Sequence, residues 1–334
     1  MPAAAKTIVN GKPVVSAIIV NWNGAHHLRI CLPSLLSQSF TSLETIVVDN
    51  GSTDDSVEVT REFQARWLPL AKNVGLAPAL NRGAAIAGGD FLLFINNDMR
   101  FDPSFVAALV EALEKNEEIF ASDGMQFNWD GSERAHLATR LVGRRPAGHS
   151  STELVPGLYF YPAEANSETA VYTGSAACML VRRRLFEKLN GFDDRLPLGY
   201  EDVEICWRAW IRGWKTVYVP NAICWHHIGS SGRSQEGMRM NFRGILRGRL
   251  LLASKLLPLR YAVGTWLVST AGLGKDVSRL RWSFAKDRIK TLAATAGLMP
   301  QLLRERKELF GNAASSPEKH LDFLLQLTDD AVRF

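Results

Sequence analysis

Three short apolar runs, each cut off by a polar corner, constrain this chain more than any other feature. Residues 14–20 (VVSAIIV) give way to Asn21-Trp22-Asn23-Gly24, residues 43–48 to Asp49-Asn50-Gly51-Ser52-Thr53, and residues 91–95 to Asn96-Asn97-Asp98. Runs of this kind, rich in Val and Ile, read as strands buried on both faces. Between the first two, residues 26–38 carry Leu28, Leu32, Leu35 and Leu36 at helical spacing. Ahead of the third, Ala77, Leu80, Ala84 and Ala85 give the same periodicity. Strands and helices alternating through short connections predict an α/β fold with a Rossmann-like, mostly parallel central sheet. Ligands of such sheets sit beyond the carboxyl ends of the strands, and all three polar corners fall at that edge.

The corners have bland readings as well as chemical ones. Asp98 offers a hard carboxylate oxygen suited to Mg²⁺ or Mn²⁺ bridging phosphates, and an Asx-type turn explains it too. Asp49 fits a turn or helix cap, and Asp54-Asp55 place negative charge in the first turn of a helix. Further along, residues 120–128 return a strand, and residues 129–170 lose all periodicity and read as one long loop. Residues 171–181 (VYTGSAACMLV) read as a single strand in which Gly174 and Ser175 are small enough to let a ligand approach the backbone. Glu201 and Asp202 open an amphipathic helix marked by Val203, Ile205, Cys206, Ala209 and Trp210, where capping alone would account for two acids. A strand over residues 214–219 leads to Cys224-Trp225-His226-His227.

Taken in order, IVVDNGSTDDS (46–56), DFLLFINND (90–98), GYEDVEICWR (199–208) and WHHIGSS (225–231) resemble the family-2 glycosyltransferases, inverting enzymes with the GT-A fold. The resemblance runs from about Val14 to Ser231. It implies that Asp49 meets the nucleobase of a nucleotide-sugar donor, with Asn73, Arg82 and Asn97 also on the donor side. It implies a divalent cation, Mg²⁺ or Mn²⁺, held by Asp98 and by His226, the latter within a His-x-x-Gly-x-Ser pattern completed by Gly229 and Ser231, with His227 as the alternative because neighbours in an extended chain face opposite ways. It carries the catalytic base onto Asp202 and places Gly174, Ser175, Glu201 and Arg208 on the acceptor side. Three departures stand out. Asn96 occupies the first position of the Asp-x-Asp metal motif, Glu204 replaces a more usual aspartate, and Leu198-Gly199 replace an aromatic pair. The branch most similar is the rhamnosyltransferase-like one, which implies a donor such as dTDP-rhamnose and a saccharide or polyprenyl-diphosphate-linked acceptor in surface polysaccharide synthesis. A nucleotidyltransferase would need a basic, glycine-rich loop after the first strand, where Asn21-Trp22-Asn23-Gly24 stands instead. A non-catalytic sugar-nucleotide-binding protein is the other reading, favoured by Asn96.

The tail is a different material. Of a net charge of +5, residues 245–290 alone hold ten basic residues against Asp276 and Asp287, a local +8 that leaves the rest of the chain at −3. Residues 247–260 (RGRLLLASKLLPLR) and 279–297 (RLRWSFAKDRIKTLAATAG) mix basic and apolar positions, with Pro258 breaking the first. A helical pair packed on the catalytic domain is one reading. A basic amphipathic surface on an anionic membrane, anchored by Trp266 and Trp282, is the other; no nucleic-acid-binding motif is present. The longest uncharged apolar run, residues 261–274, is 14 residues, too short to span a bilayer. The first residues carry no secretory pattern, and Cys31, Cys178, Cys206 and Cys224 form no CxxC pair, as in a reducing compartment. The expected organisation is a tail over 1–13, a GT-A catalytic domain over 14–235 and a helical, basic extension over 236–334. The expected location is the cytoplasm, peripheral on the inner face of the membrane.

Overall fold

The computed structural model describes residues 14–327 apart from 133, 137, 146–150, 164, 228–234 and 312–315. Its first third alternates as the sequence predicts: β1 (Val15–Asn21), α1 (Ala25–Leu36), β2 (Leu43–Asp49), α2 (Ser56–Glu62), β3 (Arg66–Pro69), α3 (Leu76–Ile86) and β4 (Phe91–Asn96). β1 pairs in parallel with both β2 and β4, and β2 with β3. The register sets Asn21 opposite Asp49 and Val20 opposite Asn96, so the polar corners end at one level. The small residues of α3 have a packing reason. A Cβ on Gly83 would lie 2.4 Å from Ile18 Cγ2 and 2.8 Å from Val48 Cγ2, so the helix reaches the sheet only because that position has no side chain.

The second half of the sheet is mixed. β5 (Met99–Phe101), α4 (Phe105–Glu114) and β6 (Ile119–Asn128) are followed by β7 (Arg134–His136), β8 (Ala138–Val142), β9 (Thr152–Val155), β10 (Leu158–Ala163), β11 (Thr169–Val171), β12 (Leu180–Arg182), α5 (Arg183–Lys188), α6 (Glu201–Ile211) and β13 (Lys215–His226). The main sheet runs β11-β13-β6-β12-β4-β1-β2-β3. β12 is antiparallel to both neighbours, β4 and β6. Apolar clusters cover both faces, one under α1 and α4 and the other under α3, α5 and α6.

Two expectations fail here. Residues 129–170 are not one loop, because β8, β10 and β9 form a separate antiparallel sheet that buries Leu141, Leu154, Val155 and Leu158. In β9 the buried Leu154 and Val155 are adjacent in sequence, which breaks the period-2 signal. Residues 171–181 are not one strand either. β11 pairs at the sheet edge with β13, β12 inserts between β4 and β6, and residues 172–179 cross between them. That crossing is as buried as a strand, so its hydrophobicity imitates one.

The C-terminal helices are α7 (Gln235–Leu256), α8 (Leu259–Ser278), α9 (Trp282–Gly297), α10 (Met299–Gly311) and α11 (Pro317–Leu325). Pro258 separates α7 from α8, as expected. The buried side of α7 (Leu251, Leu252, Leu256), Leu302 of α10, and Leu321 and Leu324 of α11 close over Trp207 and Trp210 of α6 in one apolar cluster. Gly248 lets α7 come this near, since a Cβ there would lie 2.4 Å from the Tyr200 ring. Part of the C-terminal helical region is therefore packed on α6, while α8 and α9 leave many apolar side chains in solvent. Among the described residues no helix is long and apolar enough to cross a membrane.

Candidate active site

The donor-side corner is built from amides. Asp49, only 6% exposed at the end of β2, accepts a hydrogen bond from Ser52 N–H at 3.2 Å through Oδ1. Gly51 turns the chain at φ +82°, and a Cβ there would meet the Lys72 backbone at 2.8 Å. Asn50 then ties this corner to the next loop. Its Nδ2 donates to Asn73 Oδ1 and to the Gly75 carbonyl, and its Oδ1 accepts from Val74 N–H. Asn73, itself exposed, also accepts from Gly75 N–H and so helps to shape the loop. Asn97 is similarly engaged: its Nδ2 donates to Asn21 Oδ1 at 2.7 Å, and Asn21 in turn donates to Ser56 Oγ at 2.8 Å. Asn73 and Asn97 thus help to hold the corner where the Asp49 carboxylate stands. Arg82 is exposed on α3, about 9 Å along the axis from its first residue at 1.5 Å per residue. Asn21 and Asn50 were not singled out by sequence reasoning, although both belong to the polar corners that drew attention.

The metal-side corner brings Asp98 and His226 together. β5 pairs antiparallel with the end of β13, setting His226 opposite Met99, and His227 N–H donates to the Asp98 carbonyl at 3.0 Å. As a result His226 Nε2 stands 3.3 Å from Asp98 Oδ1, both side chains retaining some access to solvent. Gln126 of β6 contacts His226 Nδ1 through Oε1 at 3.2 Å. With Nδ1 as the donor in that contact, Nε2 turns its lone pair toward a carboxylate oxygen, and two acceptors so close need a proton or a cation between them. A carboxylate and an imidazole suit Mn²⁺ or Mg²⁺, the remaining positions falling to phosphate oxygens and water. Among the described residues no third His, Cys, Asp or Glu joins them. Asn96, half-buried at the end of β4, gives no carboxylate, and Gly229 and Ser231 lie outside the described residues. Gln126 has no motif to announce it.

Aromatic and basic groups surround this corner. The His27 ring lies 5.6 Å from that of His227, and Trp129 meets His227 edge-on at 5.6 Å. Burial and the neighbouring His26 push the His27 imidazole below its ordinary pKa. The Arg100 guanidinium sits over both Trp225 and Trp129, at 4.6 and 5.1 Å from their centroids.

On the acceptor side, the crossing segment 172–179 joins the corner to α6. Asn96 N–H donates to the Ala177 carbonyl at 3.1 Å, and Ala176 N–H points at Asp202 Oδ2 at 3.4 Å. Asp202, half-buried at the start of α6, also accepts from Val203 N–H at 2.7 Å. Asp202 and the strand end bearing Asn96 and Asp98 therefore flank the same short stretch of backbone. The other expected acceptor-side residues are each engaged within the fold. Gly174 is small because the protein requires it, a Cβ there lying 2.7 Å from Met179 Sδ. Ser175 is half-buried and turns the crossing segment, its carbonyl accepting from Cys178 N–H. Glu201 is 1% exposed and accepts from Tyr200 N–H at 3.1 Å. Burial, with the adjacent Asp202 charge, pushes its carboxyl up to about 8. Arg208 is buried too, gripping Glu204 with two hydrogen bonds of 2.7 Å and donating to the Leu189 and Gly191 carbonyls.

The departure at Glu204 belongs to an ion network. Lys255 of α7 reaches Glu204 at 2.7 Å and Asp193 at 2.9 Å, while Arg195 bridges Asp193 and Glu305 of α10, both at 2.6 Å. Burial opposes the Asp193 charge, but the hydrogen bond from Arg195 and the Lys255 charge outweigh it and hold that carboxyl well below the usual range. An aspartate at 204 would be one methylene shorter and would retract from Lys255.

Comparisons with known proteins fit this geometry. The family model described as glycosyl transferase family 2 matches residues 16–189. An N-acetylglucosaminyl-diphospho-decaprenol L-rhamnosyltransferase of Mycobacterium tuberculosis is 29% identical over 245 residues, 66% of this chain and 78% of the relative. An O-antigen biosynthesis protein of Myxococcus xanthus is 30% identical over 68% of this chain but only 18% of its own length. Among solved structures, GalNAc-T7 with UDP, GalNAc and Mn²⁺ superposes with a TM-score of 0.60 at 17% identity, over 84% of this chain and 55% of that one. A mannosyltransferase from Pyrobaculum calidifontis with GDP-Man and Mn²⁺ gives 0.53 at 15% identity, over 90% of each chain. Both are GT-A glycosyltransferases, and the likeness extends to the fold.

Proposed function

The chain belongs to glycosyl transferase family 2, and from that premise we propose that it moves a sugar, with dTDP-rhamnose as the leading donor, from a nucleotide diphosphate onto an N-acetylglucosaminyl-diphospho-polyprenol. What supports the reading is that Asp202 accepts from Ala176 N–H while Asn96, two residues before the Asp98 that faces His226, donates to the neighbouring Ala177 carbonyl. The rhamnosyltransferase relative supports the choice of sugar and lipid-linked acceptor. A lipid-linked acceptor brings the reaction to a membrane surface, taken here as the cytoplasmic face, in the synthesis of cell-envelope polysaccharide.

Asp202 accepts the proton of the acceptor hydroxyl as its oxygen attacks the anomeric carbon. The new glycosidic bond forms as the bond from the anomeric carbon to the diphosphate oxygen breaks, and the nucleoside diphosphate departs with the electron pair. One carboxylate acting on one face gives a single displacement, hence inversion. Burial and the adjacent Asp202 raise the affinity of Glu201 for its proton, which leaves Asp202, the more open of the two, as the base. Asp98 and His226 would hold a divalent cation, which when bound offsets charge on the leaving diphosphate. Asp49 receives the nucleobase, where a carboxylate accepts from an imide N–H. Asn96 favours a second reading, donor binding without transfer, because it removes one anionic ligand.

A panel of nucleotide sugars offered with a short-chain polyprenyl-diphosphate N-acetylglucosamine separates the two. Acceptor-dependent release of nucleoside diphosphate from one donor, abolished by EDTA and restored by Mn²⁺ or Mg²⁺, is the expected result. Donor binding with no release under any metal condition would establish the second reading instead.

A further inference from the structure

The α8–α9 hairpin keeps a large apolar surface in water. Along α8, Leu259, Val263 and Leu267 recur every fourth residue on one side, and Leu267 is 66% exposed. At the turn, Leu280 is 73% exposed and Trp282 62%. Packing elsewhere does not require these residues to be apolar, since α7, α10 and α11 already close the core over α6.

The charge of the hairpin is of one sign at its surface. Its two acids, Asp276 and Asp287, are each 4% exposed and face inward. Asp276 is held by Arg288 at 2.8 Å, and Asp287 faces Arg243 at 3.9 Å. What remains exposed is basic: Arg260, Lys275, Arg279, Arg281, Lys286 and Lys290. Exposed Leu and Trp side chains mixed with cations and no exposed anions match the boundary layer of an anionic bilayer, where apolar side chains enter the acyl region and lysine and arginine reach back to the phosphates. A second copy presenting the same face would set six cations against six.

We propose that the α8–α9 hairpin docks this protein on an anionic phospholipid surface, lying in the interface with Leu267, Leu280 and Trp282 inserted. The inference stands on exposure and charge alone, independently of what the active site transfers.

The test uses the full chain, without donor or acceptor, in flotation with phosphatidylglycerol–phosphatidylcholine vesicles and with pure phosphatidylcholine vesicles. The wild type floats with the anionic vesicles, loses most of that binding at high salt and stays down with the neutral ones. Leu280→Glu with Leu267→Glu lowers partitioning at least tenfold, and Lys275→Glu with Arg279→Glu and Arg281→Glu abolishes it. Thermal melting confirms that both sets stay folded, and Arg260→Glu with Lys286→Glu, which leaves the Arg281–Phe284 contact and the last turn of α8 intact, lowers flotation in the same direction. Brominated acyl chains quench fluorescence in the wild type, and Trp282→Phe removes a large part of that quenching. Equal flotation of wild type and both variants would overturn the proposal. So would a concentration-dependent dimer that Leu267→Glu dissolves, which would mark the surface as a contact between copies. Failure of sugar transfer leaves this outcome untouched, and failure to float leaves the transfer reading untouched.

Discussion

Glu201 and Asp202 are adjacent acids at the start of one helix, and the fold treats them in opposite ways. Glu201 is sealed beneath the helix, while Asp202 stays half-open beside the crossing segment. Sequence reading identified the pair and its helix. It could not separate them, because both are carboxylates on the first turn and burial is decided by what α7 and the crossing segment bring. Glu201 has a folded pKa of about 8 against an ordinary 4.5, so the folded state holds this proton more tightly than the unfolded one. Its contribution to stability is whole below pH 4.5 and is lost as pH rises through 8. Glu201→Gln is therefore expected to keep turnover near that of the wild type at pH 7. It should also melt higher than the wild type at pH 9, read by thermal unfolding across pH. A loss of turnover as large as that caused by Asp202→Asn would mean that Glu201 takes part in proton transfer itself.

Elements were most legible where their periodicity was undisturbed. The alternation of β1 to β4 with α1 to α3 follows directly from the apolar runs and their polar corners, and the register brings those corners within one residue of each other, Asn21 opposite Asp49 and Val20 opposite Asn96. The 172–179 crossing was misread because a buried irregular segment has the hydrophobicity of a strand. The β8–β10–β9 sheet is hard to read because Leu154 and Val155, adjacent in β9, are both buried and break the alternation. Arg208, which the resemblance puts on the acceptor side, and Glu204, a departure from the usual aspartate, lock α6 to the Leu189–Gly191 turn and to Lys255. Removing one member of that buried cluster leaves the others uncompensated. Glu204→Ala is expected to destabilise the protein by about 3–5 kcal/mol, the usual scale for breaking a buried pair. Urea unfolding measures it, and a change under 1 kcal/mol would show that the network contributes little.

At the scale of the whole molecule, the extension has two roles that the sequence blended into one basic, apolar stretch. α7, α10 and α11 complete the core around Trp207, and α8 with α9 faces outward. Composition registers both, but only the tertiary arrangement shows that Asp276 and Asp287 turn inward and leave the outer face uniformly basic. The catalytic account likewise joins distant parts of the chain: Asp98 from the end of β4, His226 from the end of β13 and Asp202 from α6. Proton NMR of the transfer reaction, followed from the first turnovers with Mg²⁺ present, tests that assembly most directly. The account predicts a new anomeric signal of configuration opposite to the donor's, growing at least about 100-fold more slowly with Asp202→Asn, the scale of a lost general base. A product that retains the donor's configuration, or one that forms as fast without the Asp202 carboxylate, would contradict it.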